Sequence, residues 1–215
     1  MGLSCLVNPT ALIVVDASTI INLNATGYGA SILGAIPNPV IITDVVQSEL
    51  LEDSRSGRND GQLVAALISA GLLSIAKLDD LKGTHFEELV IGRGDETLDD
   101  GEAATIAFGI EIGAIVLVDE RKANRICAHR FPRLLVGSSL DLFSHDAVLS
   151  ALGKDALSDA VHNALQRARM RVPMPYVDWV ANLIGLDRAI LCESLPRSVR
   201  AELERIAAKT RPGRR

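Results

Sequence analysis

Two short, unbroken apolar runs in this chain each end on an aspartate. Leu12-Ile13-Val14-Val15 runs into Asp16, and Ala114-Ile115-Val116-Leu117-Val118 runs into Asp119. A strand with one wet face alternates apolar and polar residues. A continuous β-branched run has both faces covered, as in a parallel sheet lying between helix layers. Val40-Ile41-Ile42, a run around Leu72–Ala76 and another near Leu134–Val136 read the same way. Helical segments lie between these runs. One follows Asp16 and breaks at Gly27 and Gly29. A second covers Thr43–Glu52, with Thr43 or Asp44 as N-cap, and a third covers 60–70 and stops at Gly71. A fourth is opened by Asp99 or Asp100 and runs through Ile112 to a stop at Gly113, and a fifth covers Glu120–Phe131. The polar stretch from Asp79 to Thr97 has no clear period. Strands alternating with helices predict an α/β fold with a mostly parallel sheet covered on both faces. Helical patterns fill 140–170, Pro173 and Pro175 interrupt them, and 176–209 reads as two or three short helices before a frayed Arg211–Arg215. The organisation expected is a body over 1–172 and a helical extension over 173–215.

Asp16 and Asp119 stand at the carboxyl ends of two buried strands, the edge where open α/β sheets bind ligands. Each acid could equally cap the helix that follows it. Glu49 lies i+4 from Val45 and i+3 from Val46, which places it on or beside the inward face of its helix. The alternative is a surface glutamate paired with a neighbour such as Arg55. Glu102 sits in the first turn of its helix beside the stripe Ala103, Ile106, Ala107 and Ile110. The helix dipole also favours Asp99, Asp100 and Glu102 there, so the third acid stays a choice among these three. Carboxylates gathered on one edge do not all stay ionised without a counter-charge. A hard divalent cation, Mg²⁺ or Mn²⁺, suits such donors and suits phosphate oxygens too. It would supply a nucleophilic hydroxide for phosphodiester displacement. Ser18, two residues past Asp16, is placed to hold a carboxylate or a bound water. Arg121, Lys122 and Arg125 are the nearest cations for positioning phosphate.

Composition removes several alternatives. Aromatics are only 3% of the chain, too few for a base-stacking platform. Cys5, Cys127 and Cys192 are widely separated and fit small buried residues in a reducing compartment, and the four histidines show no pair at zinc spacing. No apolar run approaches the ~18 residues of a membrane span, and the first apolar run ends on Asp16 without a basic start, so a cytoplasmic protein is expected. Ser18 stands where a DxD phosphatase needs its second acid, and Ile20 where a DxSxS adhesion site needs its second serine. Neither GxGxxG after a strand nor GxxxxGK is present. The net charge of −5 hides an asymmetry. Residues 167–215 hold 11 Lys/Arg against 5 Asp/Glu, while 1–166 hold 11 against 22. The basic segment suits nucleic-acid phosphates, a partner or a dimer contact, and suits equally a solvated arginine face.

The segments VVDASTII, VVQSELLE and LDDGEAATIAFGIEIGAIVLVDERKAN resemble PIN domains, in particular the branch related to VapC-type toxins, over roughly residues 11–170. The resemblance implies a parallel sheet of four or five strands flanked by helices, Mg²⁺ or Mn²⁺ as cofactor, and cleavage of RNA. By motif, Asp16 matches the first acid, Ser18 the small polar residue after it, Glu49 the helix glutamate and Asp119 the later strand-end acid. Glu102 matches a position that is commonly Asp in the wider family, and Asp99 or Asp100 could share it. A small antitoxin protein with an Arg or Lys facing the carboxylates is the implied partner, and a homodimer is expected. The extension beyond about residue 172 is not part of the recognised pattern.

Overall fold

Five strands form one wholly parallel sheet in the order β3-β2-β1-β4-β5: β1 Ile13–Val15, β2 Val40–Thr43, β3 Ser74–Ala76, β4 Ile115–Leu117 and β5 Val136–Gly137. The computed structural model describes residues 4–54, 59–78, 84–94 and 96–210. Arg55, Asp79 to Gly83 and Arg211–Arg215, which figured in the sequence expectations, lie outside the described residues. The crossovers carry α1 (Ala17–Thr26) and α2 (Gly29–Ala35), α3 (Asp44–Ser54) and α4 (Asp60–Ser69), α5 (Thr84–Val90) and α6 (Asp100–Ile112), then α7 (Arg121–Arg130). After β5 come α8 (Ser139–Phe143) and α9 (Asp146–Arg167), the latter broken at Gly153. A 3-10 turn at Met174–Tyr176, α10 (Val177–Ile184), α11 (Leu186–Leu191) and α12 (Arg197–Thr210) complete the chain.

Period-two alternation decides which helices meet which face. Ile13, Val15, Ile115 and Leu117 point into a core shared with α1, α2, α3, α4, α9 and α10. Val116 and Val118 point the other way, against Leu89, Ala103, Ile106, Ala107, Ala123 and Ile126 of α5, α6 and α7. The central strands β1 and β4 are buried throughout, which is why they read as continuous apolar runs. β3 is largely exposed, but the two edge strands are only three and two residues long, which limits edge pairing.

The runs at Leu12, Leu72 and Ala114 are trimmed at their ends, while β2 gains Thr43. The Leu134–Val136 run yields a strand two residues later, because Leu134 N–H donates back to Phe131 C=O in a turn and the ladder starts at Leu135 C=O. Thr43 Oγ1 accepts from Val46 N–H at the start of α3, and Gly113 closes α6 in the left-handed conformation (φ 66) that a Cβ would disfavour. The core crosses residue 172 without interruption. Met170, Val172, Tyr176, Val177, Val180 and Ile184 pack in the same cluster as Ile13 and Leu117. Among the described residues no helix is long and apolar enough to cross a membrane.

Candidate active site

Strand order reverses at β1: the chain steps from β1 to β2 on one side and places β4 on the other. The crevice at the carboxyl ends of β1 and β4 is therefore the topological switch point of the sheet. Val15 pairs with Leu117 in register, so Asp16 is level with Val118 and Asp119 follows one residue further along the same edge, close enough for its charge to act on Asp16. Asp16 N–H donates to Leu117 C=O at 3.2 Å, tying the two strand ends directly.

Asp16 is 2% exposed and caps α1 while facing the crevice, so its capping and site readings coexist. Its Oδ1 accepts from Thr19 N–H at 2.7 Å, and its Oδ2 accepts from Ser18 Oγ at 2.7 Å. Asp119 is held more tightly. Its Oδ1 accepts from Ser139 N–H at 3.0 Å, and its Oδ2 accepts from Asn22 Nδ2 at 2.7 Å and from the Ser139 hydroxyl. Asp16, Thr19 and Asn22 recur every three residues along one side of α1, the side that wraps the end of β4, and Thr19 Oγ1 also donates to Leu117 C=O.

Burial dominates the electrostatics. It pushes the Asp16 carboxyl up to about 7, with the Asp119 charge adding to it and the Thr19 and Ser18 hydrogen bonds opposing it. Asp119 is likewise raised by burial, against the hydrogen bonds from Ser139 and Asn22 and the positive charge of Arg171. Glu102, half-buried at the start of α6, is pushed up to about 8 by burial first, then by Asp99, Asp16 and Glu120, with Lys122 opposing. Asp16, Glu102 and Asp119 thus form one electrostatic unit. Asp99 spends its Oδ1 on the Glu102 N–H as the N-cap of α6, and Asp100 is exposed in the first turn.

Glu49 lies beside the inward face of its helix, not on it. The inward stripe of α3 is Val46 and Leu50, both fully buried, and Glu49 is exposed on the shoulder beside them. It turns toward the start of α6, where its carboxylate lies against Gly101; a Cβ at residue 101 would collide with it. It lines a groove of about 490 Å³ with Val45, Ser48, Asp99 and Asp100. The charges acting most strongly on Asp16, Glu102 and Asp119 do not include it. Among the three expected phosphate cations, Lys122 acts on Glu102, Arg121 is exposed at the start of α7, and Arg125 lines a separate groove between α5 and α7.

Sequence reasoning missed Asn22, Ser139 and Arg171. Arg171 donates from Nη1 to the Asp119 carbonyl at 2.9 Å. The i, i+3, i+6 spacing from Asp16 was a signal for Asn22; Ser139 and Arg171 carried none.

Among the described residues, no three His, Cys, Asp or Glu side chains converge closely enough to hold an ion as they stand. The chemistry of the donor set still fits a hard divalent cation: three carboxylates in one field, held toward the protonated state by burial, with no ion-pair partner among the described residues. Nearby Cys127, raised to about 11 by burial and by Glu102, stays a thiol and is not a competing soft ligand. A more apolar groove of about 450 Å³, lined by Gly109, Phe131, Pro132 and Leu134, opens at the other end of β4 and holds no acid.

The family model DUF3368, a PIN domain, matches residues 12–137, from the run that forms β1 to the end of β5. No curated protein and no solved structure matches the chain. PIN domains are generally nucleases that use divalent metals, which agrees with hard oxygen donors at a switch point. The matched span carries Asp16, Glu49, Glu102 and Asp119 in one α/β architecture, and the chain belongs to the PIN-domain family.

Proposed function

We propose that this chain is a metal-dependent endoribonuclease, working with Mg²⁺ or Mn²⁺ at Asp16, Glu102 and Asp119 with Glu49 on the flank, and that it serves as the toxin of a toxin–antitoxin pair. One observation supports the nuclease reading above the others. Two buried aspartates leave neighbouring strand ends at the switch point, one residue out of register and within each other's field, both raised by burial, with no cation in ion-pair contact among the described residues. The choice of RNA, the toxin role and a small antitoxin partner rest on the resemblance of VVDASTII and LDDGEAATIAFGIEIGAIVLVDERKAN to the VapC-type branch.

A divalent cation held by Asp16, Glu102 and Asp119 would supply an activated water and would offset charge on the phosphodiester. The chain supplies the rest. Ser18 and Thr19 hold the Asp16 oxygens, and Ser139 and Asn22 aim the Asp119 carboxylate. Glu102 keeps its proton at neutral pH until positive charge is brought to the edge. Burial excludes bulk water from the two aspartates, which strengthens each of these interactions.

The test uses purified protein incubated with single-stranded RNA and Mn²⁺ or Mg²⁺, with Asp16→Asn as control. Internal cleavage by the parent that is lost in the variant and in EDTA supports the reading. Intact RNA in both at equal metal occupancy refutes it. Toxicity is scored separately. Expression of the parent, but not of Asp16→Asn, should arrest growth, with rescue by a small protein encoded beside it.

A further inference from the structure

A cation in hydrogen-bond contact with the acidic edge comes from beyond the family-matched span. Helix α9 ends at Arg167, Arg169 takes the left-handed conformation (φ 53), and Met170 N–H returns to Ala164 C=O at 3.2 Å. Among the described residues Arg169 is the sole non-glycine at positive φ. This closure sets the alternation of the next residues: Met170 (1% exposed) and Val172 (7%) go into the core, and Arg171 between them turns to the strand ends. There Nη1 meets the Asp119 carbonyl rather than its carboxylate, whose oxygens are already taken by Asn22 and Ser139. Among the described residues Arg171 makes no ion pair, and its Nε–H is shielded from solvent without a partner.

A guanidinium carries five donors in a rigid fork that matches phosphate oxygens. One arm here is anchored to the backbone of a site aspartate, and the Nε–H is closed to solvent, which leaves the remaining Nη donors for an incoming oxygen. We propose that Arg171 is a substrate-binding residue whose free donors hold a phosphodiester oxygen of the nucleic acid at the Asp16–Asp119 edge. This rests on the nuclease reading above and assigns to residues 168–172 a part of the site that the family match does not include. Anchoring through the Asp119 carbonyl keeps the fork in register with the carboxylates, so charge and geometry arrive together.

The experiment measures binding of a labelled single-stranded RNA oligonucleotide to the cleavage-silent Asp16→Asn protein across a KCl series, with and without Arg171→Gln. Loss of one phosphate contact should weaken binding and reduce the slope of log K against log[salt] by about 0.7. In the otherwise native protein, Arg171→Lys should keep the salt slope while kcat falls, because a point charge replaces the fork. Equal affinity and slope for Arg171→Gln and its parent overturn the inference while leaving the nuclease reading intact. A lowered melting temperature with unchanged slope also overturns it, since Arg171 is then a brace for the Asp119 backbone. If Arg171→Gln does not fold, unchanged kcat in Arg171→Lys is the overturning result. A parent that binds no RNA overturns both readings together.

Discussion

Replacing Asp16 by Asn should make the metal-free protein more stable at neutral pH while abolishing its activity. In the unfolded chain Asp16 titrates at 3.8, and in the folded protein burial and the Asp119 charge lift it to about 7. The sign follows from proton linkage. The folded state binds this proton more tightly, so its stabilising effect is complete below about 4 and is lost as pH rises through about 7. At pH 8 an ionised Asp16 costs the fold about 4 kcal/mol at 1.36 kcal/mol per tenfold change in proton affinity. An Asn at position 16 removes that cost and retains an acceptor for the Thr19 N–H. It weakens the charged cap and the Ser18 bond, a loss of about 1–2 kcal/mol. The net gain is about 2–3 kcal/mol, or roughly 5–10 °C in Tm for a chain of this size.

Thermal and urea melts of both proteins between pH 4 and 8 in EDTA measure the difference directly. Asp16→Asn should be no more stable than the parent near pH 4 and should pull ahead as pH rises. Added Mn²⁺ should then raise the parent selectively, by about 2.7 kcal/mol at a hundredfold excess over Kd. Melting curves that stay parallel across the whole pH range in EDTA would refute the argument, because Asp16 would then carry no burial cost for a cation to relieve.

Three further outcomes follow from named contacts. At sub-saturating metal, kcat/KM should rise with pH through about 8 as Glu102 ionises, and Glu102→Gln should remove that limb; a pH–rate profile identical to the parent's counts against Glu102. Ser139→Ala withdraws its hydroxyl from Asp119 and should lower activity or metal affinity about 10–100-fold in single-turnover and titration assays. Tyr176→Phe removes a 2.8 Å bond to the buried Asp141 carboxylate and should cost about 1–2 kcal/mol in urea melts.

How much of this was legible in the sequence depended on where each residue finds its partner. Asp16 and Asp119 were readable because a strand buried on both faces leaves a continuous apolar run, and the first acid after it marks the strand end. The α6 boundaries were readable because Asp99 and Gly113 cap it through local geometry. Ser139 and Arg171 were not, since they meet Asp119 across 20 and 52 residues of chain, and for Asn22 only its face on α1 was readable, its partner lying 97 residues away. Glu49 was readable only as lying on or beside the inward face, for another reason. With Val45, Val46, Leu50 and Leu51 all apolar, the wheel of α3 admits two stripes. Packing selects Val46 and Leu50, which leaves Leu51 exposed and sends Glu49 to the shoulder beside Gly101.

That long-range wiring alters the standing of the extension. Asp141, buried in α8, accepts from Cys5 N–H at the start of the chain, from Ser138 N–H and Oγ after β5, and from Tyr176 Oη in the extension. The turn held by Ser138 and Asp141 is the one that offers Ser139 to Asp119. Tyr176 therefore braces, through Asp141, the donors that aim a site carboxylate, and Arg171 reaches the same aspartate from the neighbouring segment. Removing residues 173–215 would strip Tyr176, Val177, Val180 and Ile184 from the core that contains Leu117. It would leave Asp141 one donor short and expose apolar surface at about 25 cal/mol per Å². Truncation thus confounds folding with chemistry, whereas Tyr176→Phe and Arg171→Lys each alter one contact and keep the core.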